Sequence, residues 1–438
     1  MPAPDDESAP NVSPSPAKHG GANQAVVRLY NERLILSLTR RSGRLSKIEV
    51  ARMTGLSVQS TSTIMNRLQA DGLLKRQTPL RGRVGQPTVP VSLDPEGAFS
   101  IGLKIGRRSF DLVLIDFCGA VRRRAHRTYP YPTPDRAMDF INDELAPLVA
   151  SLTPRQRSRI AGLGVAAPFQ LWDWATEIGA PADKIDAWRS FSIEEELARV
   201  SPFGVTLCNA ATSACAAEFF FGEAWRHRDF LYFFLGAFVG GGLVLDGALY
   251  PGRTGNAAAV GSMPIAALEG SGSPTSQLIS RASIYQLQRR IEAAGRDPSS
   301  RWRTPETWDD FGALLDDWID EAAYALAYAS LAAMSVIDVE AIVIDGAMPF
   351  DIRERLRQRI AAQIDALDRR GLSEATILAG AIGADARAIG AAALPLIKAF
   401  ARDAFARDRE LVFKDTVGES DRAAAPSRRR VSVASSGS

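Results

Sequence analysis

The run Ser57-Val58-Gln59-Ser60-Thr61-Ser62-Thr63 sets short hydrogen-bonding side chains at helical spacing. On a helix, Gln59, Ser60 and Thr63 share one face, and their donors and acceptors suit base edges or phosphates. Arg67 follows on the same helix, and Ser57 stands where an N-cap belongs. Further on, Arg81-Gly82-Arg83-Val84-Gly85-Gln86-Pro87 is a narrow cationic loop. Gly and Pro keep its backbone thin while Arg81 and Arg83 project. That design suits two roles equally: insertion into a narrow A·T-rich minor groove, where the potential is most negative, or a wing that only touches phosphate.

Elsewhere the usual chemical groups are sparse. Cys118, Cys208 and Cys215 cannot make a disulfide framework and match no metal-ligand spacing. Cys208 and Cys215 read as buried small hydrophobes, and the low cysteine count fits a reducing, cytoplasmic setting. His19, His126 and His227 are isolated. No stretch approaches the ~20 apolar residues of a membrane helix, and the N-terminus has no apolar core of a signal peptide. No membrane partner is expected.

The elements that must position these residues follow from periodicity and punctuation. Residues 1–22 are rich in Pro, Ser and Gly and read as a disordered leader. Asn23 to Ser42 has helical periodicity. Ser46 caps a short helix from Lys47 to Thr54, Gly55 breaks it, and Ser57 caps a third helix to about Ala70. Val58, Ile64, Met65 and Leu68 are its expected core side. Two short strands, Leu73 to Gln77 and Thr88 to Leu93, flank the cationic loop. Helix, glycine turn, helix and basic hairpin together read as a winged helix-turn-helix, residues 23–95, whose third helix would enter the major groove of a double-stranded DNA operator. Charge agrees. Asn23 to Arg83 holds twelve bases against three acids, whereas the whole chain carries only +2. A basic module joined to an acidic body meets a polyanion.

From Phe99 the pattern changes to strands alternating with helices, an α/β body of two lobes. Expected strands are Ile101–Gly106, Phe110–Asp116, Ala120–Thr128, Ile160–Val165, Val205–Cys208, Phe230–Phe238, Gly240–Leu245, Ala341–Ile344 and Ala375–Leu378. The expected closing helix is Ala386–Phe405. At 46% hydrophobic and 23% charged residues the chain can bury a large core.

Several stretches, in order, resemble the ROK family of repressors, open reading frames and sugar kinases. Ile101 to Gly106 with Phe110 to Gly119 is similar to its first phosphate hairpin, and Gly162 to Pro168 to its sugar-loop strand. Cys208-Asn209-Ala210-Ala211 with Glu218 resembles its Asn-Asp motif and downstream Glu. Gly236 to Gly247 resembles the second phosphate hairpin, Gly255 to Met263 the signature containing Glu-x-Gly-His, and Gly383 to Ala393 the closing helix. The resemblance covers about Asn23 to Phe400. It implies an actin/hexokinase-like two-lobed fold for residues 96–410, with a flexible tail at 411–438.

The departures bear on function. A phosphoryl transferase needs a carboxylate beside the nucleophilic hydroxyl. Where the family has an Asp after the Asn, this chain has Ala210. Lys104 replaces the Asp of the first hairpin, and Ala259 and Ser262 replace the sugar-binding Glu and His. The family's zinc site needs that His and later cysteines, and no cysteine follows Cys215. Neither metal nor cofactor is therefore expected.

What remains can still bind. Asn209, Ala167, Pro168, Asn256 and Ser262 are the candidate ligand contacts. Trp172, Trp174 and Trp188 suit either the apolar face of a sugar or the packing of the lobe. The sequence thus reads as a transcriptional regulator, a repressor of carbohydrate-related genes, that is not an enzyme and acts as a homodimer or higher oligomer. Two alternatives stand beside it: a body that only oligomerises and binds no ligand, and an active sugar kinase.

Overall fold

The computed structural model describes residues 20–79, 89–168, 170–266, 275–298 and 307–401. The N-terminal helices form where local signals put them: α1 spans Gly20–Ser42, α2 Lys47–Thr54 and α3 Val58–Ala70. α1 starts at Gly20, ahead of the expected Asn23. Ser46 and Glu49 form a reciprocal cap on α2. The Glu49 N–H donates to Ser46 Oγ at 3.3 Å, and the Ser46 N–H donates to Glu49 Oε2 at 2.7 Å. Gly55 takes the left-handed conformation, φ 71°, that ends α2 without a side-chain clash. Strands β1, Leu74–Arg76, and β2, Val91–Leu93, pair antiparallel, and Leu45 bridges to Val91 on the other edge. These strands are shorter than expected, and both lie within the expected limits.

Ile35, Leu36, Val50, Met65 and Leu68 fill the core of this unit. Val58 does not join them. It is 57% exposed, while Thr61 is fully buried. Both lie on one helical stripe, but Val58 is the first helical residue and no neighbour covers it there.

The body repeats one topology twice. Strands β3 Phe99–Ile105, β4 Ser109–Asp116, β5 Val121–Thr128, β6 Ile160–Ala167 and β7 Val205–Asn209 form a sheet in the order β5-β4-β3-β6-β7. Strands β8 Phe230–Leu235, β9 Val239–Leu245, β10 Ala248–Leu249, β13 Ala341–Gly346 and β14 Thr376–Ala379 form the second, in the order β10-β9-β8-β13-β14. Between them in sequence, β11 Pro264–Ala266 and β12 Thr275–Gln277 make a small separate pair. Each large sheet begins with three antiparallel strands and adds two parallel ones on the far side of the first. This duplicated arrangement is the two-lobed α/β body expected from the sequence. β8 stops at Leu235 rather than Phe238, because Gly236 N–H bonds to Phe238 O at 3.2 Å and closes the turn.

Four principal helices besides the closing one pack on these sheets. α4, Pro134–Ala150, sets Ala137, Phe140 and Ile141 against Phe110 and Leu112 of the first sheet. α6, Ala313–Met334, and α7, Phe350–Ala366, cover the second. α5, Ala210–Phe221, and the closing helix α8, Ala386–Phe400, lie against each other between the sheets. Their approach is close enough to require glycine. A methyl group at Gly390 of α8 would overlap the Ser213 carbonyl of α5, and one at Gly164 of β6 would overlap the Ala391 carbonyl.

The helix-turn-helix is seated on this body through α1. Arg40 Nη1 donates to Phe117 O at 2.7 Å, and its guanidinium lies 4.1 Å from the ring centre of Phe220 and 4.9 Å from that of Phe117. Burial pulls this guanidinium down to about 10, although Asp116 nearby favours the charge. Arg33 donates to Lys398 O of α8 at 3.2 Å, and Phe117 meets Phe400 of α8 edge-on at 4.9 Å. On the opposite side Arg159 donates to Asp71 O and Gly97 O, each at 3.1 Å.

Candidate functional site

The first site is the free surface of α3. Ser57 caps the helix, its Oγ accepting the Ser60 N–H at 3.1 Å. Ser57, Gln59, Ser60 and Thr63 are all exposed. Thr63 donates its hydroxyl to Gln59 O at 3.1 Å, so its oxygen is held close to the helix with acceptor capacity left over. Arg67, also exposed, lies further along, its Nε 3.6 Å from Glu32 of α1 and 3.9 Å from Asp71. Lys47 of α2 bonds Ser62 Oγ at 2.9 Å and Asn66 Oδ1 at 3.0 Å, fixing the two helices to each other. Arg44, Arg52, Lys75 and Arg76 add exposed positive charge around this surface. Arg81 and Arg83, the two arginines of the expected wing, lie outside the described residues.

The second site is a cavity of about 380 Å³ between the lobes. Pro168 at the end of β6, Asn209 at the end of β7, and Asn256 and Ser262 after β10 all reach its wall. Four of the five ligand candidates are thus brought together from distant parts of the chain. Ala167 is not on the wall; it is the register partner of Asn209. Asn209 is largely occupied with structure. Its Oδ1 caps α5 by accepting the Ala211 N–H at 2.9 Å, and its Nδ2 donates to Asn256 Oδ1 at 3.3 Å. Of the tryptophans, Trp174 lines the cavity with its ring 5.3 Å from Phe238. Trp188 is buried in the first lobe and donates to Pro132 O at 3.2 Å, so it packs rather than binds. Trp172 lies under the Arg189 guanidinium at 4.9 Å.

Three of the four positions that depart from the family pattern, Ala210 at the start of α5, Ala259 and Ser262, lie on the cavity wall, and Lys104 does not. Asp173 is the sole carboxylate among the described wall residues, and it lies 3.6 Å from Arg189. Lys104 points into an ion pair. Its Nζ is 2.5 Å from Asp111 Oδ2 and 3.0 Å from Ser109 Oγ, and His126 Nδ1 is 2.7 Å from Asp111 Oδ1. Burial, with the like charge of Arg387 behind it, pulls the Lys104 ammonium down to about 8. Burial opposes the charge on Asp111, yet Lys104 and His126 hold its carboxyl down to about 2.

Two other buried carboxylates are also spent on structure. Glu218 accepts from the Glu223 and Ala381 N–H groups at 2.9 and 2.8 Å. Asp345 pairs with Arg353 at 2.7 Å and accepts the Tyr232 hydroxyl at 2.9 Å. Burial pushes both carboxyls upward. Cys208 and Cys215 are buried, as expected, and burial raises both thiols.

Among the wall residues that sequence reasoning missed are Arg107 after β3, Phe238 in the turn after β8, and Arg387 in the first turn of α8. A signal for Arg387 existed. It is the one charged residue between Ala386 and Ile397, in a helix otherwise built of small and apolar side chains.

A winged helix-turn-helix joined to a duplicated actin/hexokinase-like body defines the class of protein. The winged helix-turn-helix DNA-binding family matches residues 28–75, and the ROK family matches residues 100–397. The chain belongs to the ROK family. It is similar to an uncharacterised protein, y4fQ, of Sinorhizobium fredii, with 26% identity over 84% of this chain and 91% of that one. It is 22% identical to the xylose repressor of Bacillus spizizenii and to the DNA-binding transcriptional dual regulator NagC of Escherichia coli, each over 56% of this chain. Those two matches span 62% and 59% of the relatives' own length. A ROK family transcriptional regulator, a homologue of the E. coli Mlc protein, shares the fold at a TM-score of 0.58 and 18% identity, covering 86% of this chain and 98% of that one. A ROK family glucokinase from Streptomyces griseus covers 68% of this chain and 99% of its own, at a TM-score of 0.52 and 21% identity.

Proposed function

We propose that the protein is a ligand-responsive DNA-binding transcriptional regulator, a repressor of carbohydrate-related genes, whose body senses a small molecule without catalysing a reaction. The observation that carries this reading is the path of α8. Its first turn puts Arg387 on the cavity wall, and its last turn, about 17 Å away at 1.5 Å per residue, meets Arg33 of α1 through Lys398 O. A ligand that shifts α8 between two positions would therefore act on the seat of the DNA-binding unit. The xylose repressor and NagC, by their names, both regulate transcription. Such a protein works in the cytoplasm, and no helix among the described residues is long and apolar enough to cross a membrane. The operator-release experiment is direct. A DNA duplex selected from a random pool by the protein is titrated with it in the presence of a carbohydrate panel. Release by one sugar supports the reading; melting temperature and operator affinity unchanged by the whole panel would sink it.

No ATP-dependent phosphorylation is expected of this body. Ala210 cannot accept the proton of a sugar hydroxyl, and Lys104 is held by Asp111. A coupled assay across the same panel should read no turnover above the blank. Turnover that disappears when Asn209 is replaced would show that the cavity is a kinase site.

The regulator is expected to be a homodimer. One α3 reads too few base pairs for useful specificity, and two half-sites related by a two-fold axis solve this. Light scattering should give twice the chain mass. A single-chain mass both free and on DNA contradicts the dimer.

A further inference from the structure

The structure assigns an anionic ligand to the cavity: we propose that the effector is a molecule of monosaccharide size bearing a carboxylate or phosphate, held by Arg387 with Arg107. This rests on the sensing role given to the cavity above. At about 380 Å³ the space suits such a ligand.

Charge is the first ground. The described wall carries two guanidinium groups, Arg107 and Arg387, and one carboxylate, Asp173, which is already near Arg189. Lys104 and Asp111 lie electrostatically close to Arg387, and they neutralise each other.

The second ground is the state of Arg387 itself. Its Nε is shut off from solvent and has no hydrogen-bond partner, and among the described residues no carboxylate pairs with the side chain. Its guanidinium lies 5.0 Å from the ring centre of Phe234, a contact that supplies no hydrogen-bond acceptor for Nε. A buried donor left unmade costs free energy, and a desolvated cation costs more. Burial accordingly lowers the affinity of this group for its proton. An incoming oxyanion offers the planar two-point geometry that satisfies a guanidinium.

The third ground is α5. Its N-terminal residues Ala210 and Ala211 face the cavity, and no acidic residue stands in its first turn. Alanine at the first position adds no negative charge there, so apart from the neutral Asn209 cap the positive end of the helix dipole faces the cavity. The rest of the wall fits a sugar ring. Phe238 and Trp174 offer an apolar surface, and Asn256, Ser262 and Gln277 offer hydrogen bonds to hydroxyls. Arg107 lies 4.5 Å from the Tyr285 ring centre and 5.4 Å from that of Phe238, beside this surface.

The test uses the full chain and three matched probes: D-glucose, D-glucuronate and D-glucose 6-phosphate. Melting temperature and calorimetric titration are followed at low and high salt. At least one anion should bind at a concentration where glucose does not, and its affinity should fall as salt rises. Glucuronate alone binding points to a carboxylate effector, and glucose 6-phosphate alone to a phosphate. Arg387→Gln should weaken that anion at least tenfold, with the melting temperature of the unliganded variant reporting whether it folds. Arg107→Gln gives an independent second reading if the first variant does not fold. Glucose binding as tightly as both anions overturns the proposal while leaving a sugar-responsive regulator in place. So does an anion whose affinity neither variant changes, and so does a lack of shift with either anion at millimolar concentration. If no member of the wider carbohydrate panel affects melting or operator binding, the sensing role falls with it.

Discussion

Replacing Gln59 and Ser60 together by alanine should lower affinity for the selected operator about 100-fold, since each base pair no longer read costs about 1–3 kcal/mol. Both side chains are exposed on the first turns of α3, and neither belongs to the core formed by Thr61, Met65 and Leu68. The melting temperature should therefore stay near that of the wild type. The N-cap Ser57 separates the two kinds of effect. It accepts the Ser60 N–H, so Ser57→Ala would cost about 1 kcal/mol of helix stability as well as any bond to DNA. Binding is read by fluorescence anisotropy on the selected duplex and on one of scrambled sequence. The double variant should lose the difference between the two duplexes while keeping the salt-dependent, sequence-independent part, which the exposed Arg44, Arg52, Lys75 and Arg76 would supply. Full retention of discrimination would mean that α3 is not the reading helix.

The largest effect on stability is expected at Gly390. An added methyl group there would overlap the backbone carbonyl of Ser213, and neither helix can yield by turning a side chain. α5 and α8 would have to separate along their whole contact, which also carries Gly164 of β6 against Ala391. Overpacking of a well-filled core costs typically about 1–3 kcal/mol, and a clash of backbone with backbone belongs at or above the top of that range. Gly390→Ala should therefore lower the melting temperature by several degrees or prevent folding, and operator binding should fall with it through the packing of α8 on α1. Gly204→Ala is the control. Nothing lies within 4 Å of a methyl group there and its backbone is not left-handed, so its stability should be unchanged or slightly raised. Equal melting of the two variants would show that the helices do not meet as closely as described.

Short-range features of this protein were legible in its residues. The Ser46–Glu49 cap, the left-handed Gly55 and the Ser57 cap act within four residues of themselves, so the limits of α2 and α3 follow from the sequence. The absence of a carboxylate at Ala210 is likewise a matter of residue type, as is the excess of positive charge before Arg83. Periodicity failed at Val58, because a stripe gives direction but not the neighbour that covers it.

The rest depended on chain paths that no local pattern encodes. Whether Phe238 ends a strand or lines a cavity was settled by a turn at Gly236, and whether Trp174 or Trp188 faces the cavity was settled by packing of the first lobe. Arg40 finds three phenyl rings, and Arg33 finds a carbonyl 365 residues away. Residue order alone was enough for the helix-turn-helix, the two-lobed plan and the alanine at position 210, because caps, spacing and residue identity are local quantities. It took the folded chain to show that Arg387 reaches the cavity wall with its Nε unpartnered and that one helix joins that cavity to the DNA-binding unit. Both depend on which distant surfaces the duplicated topology brings together.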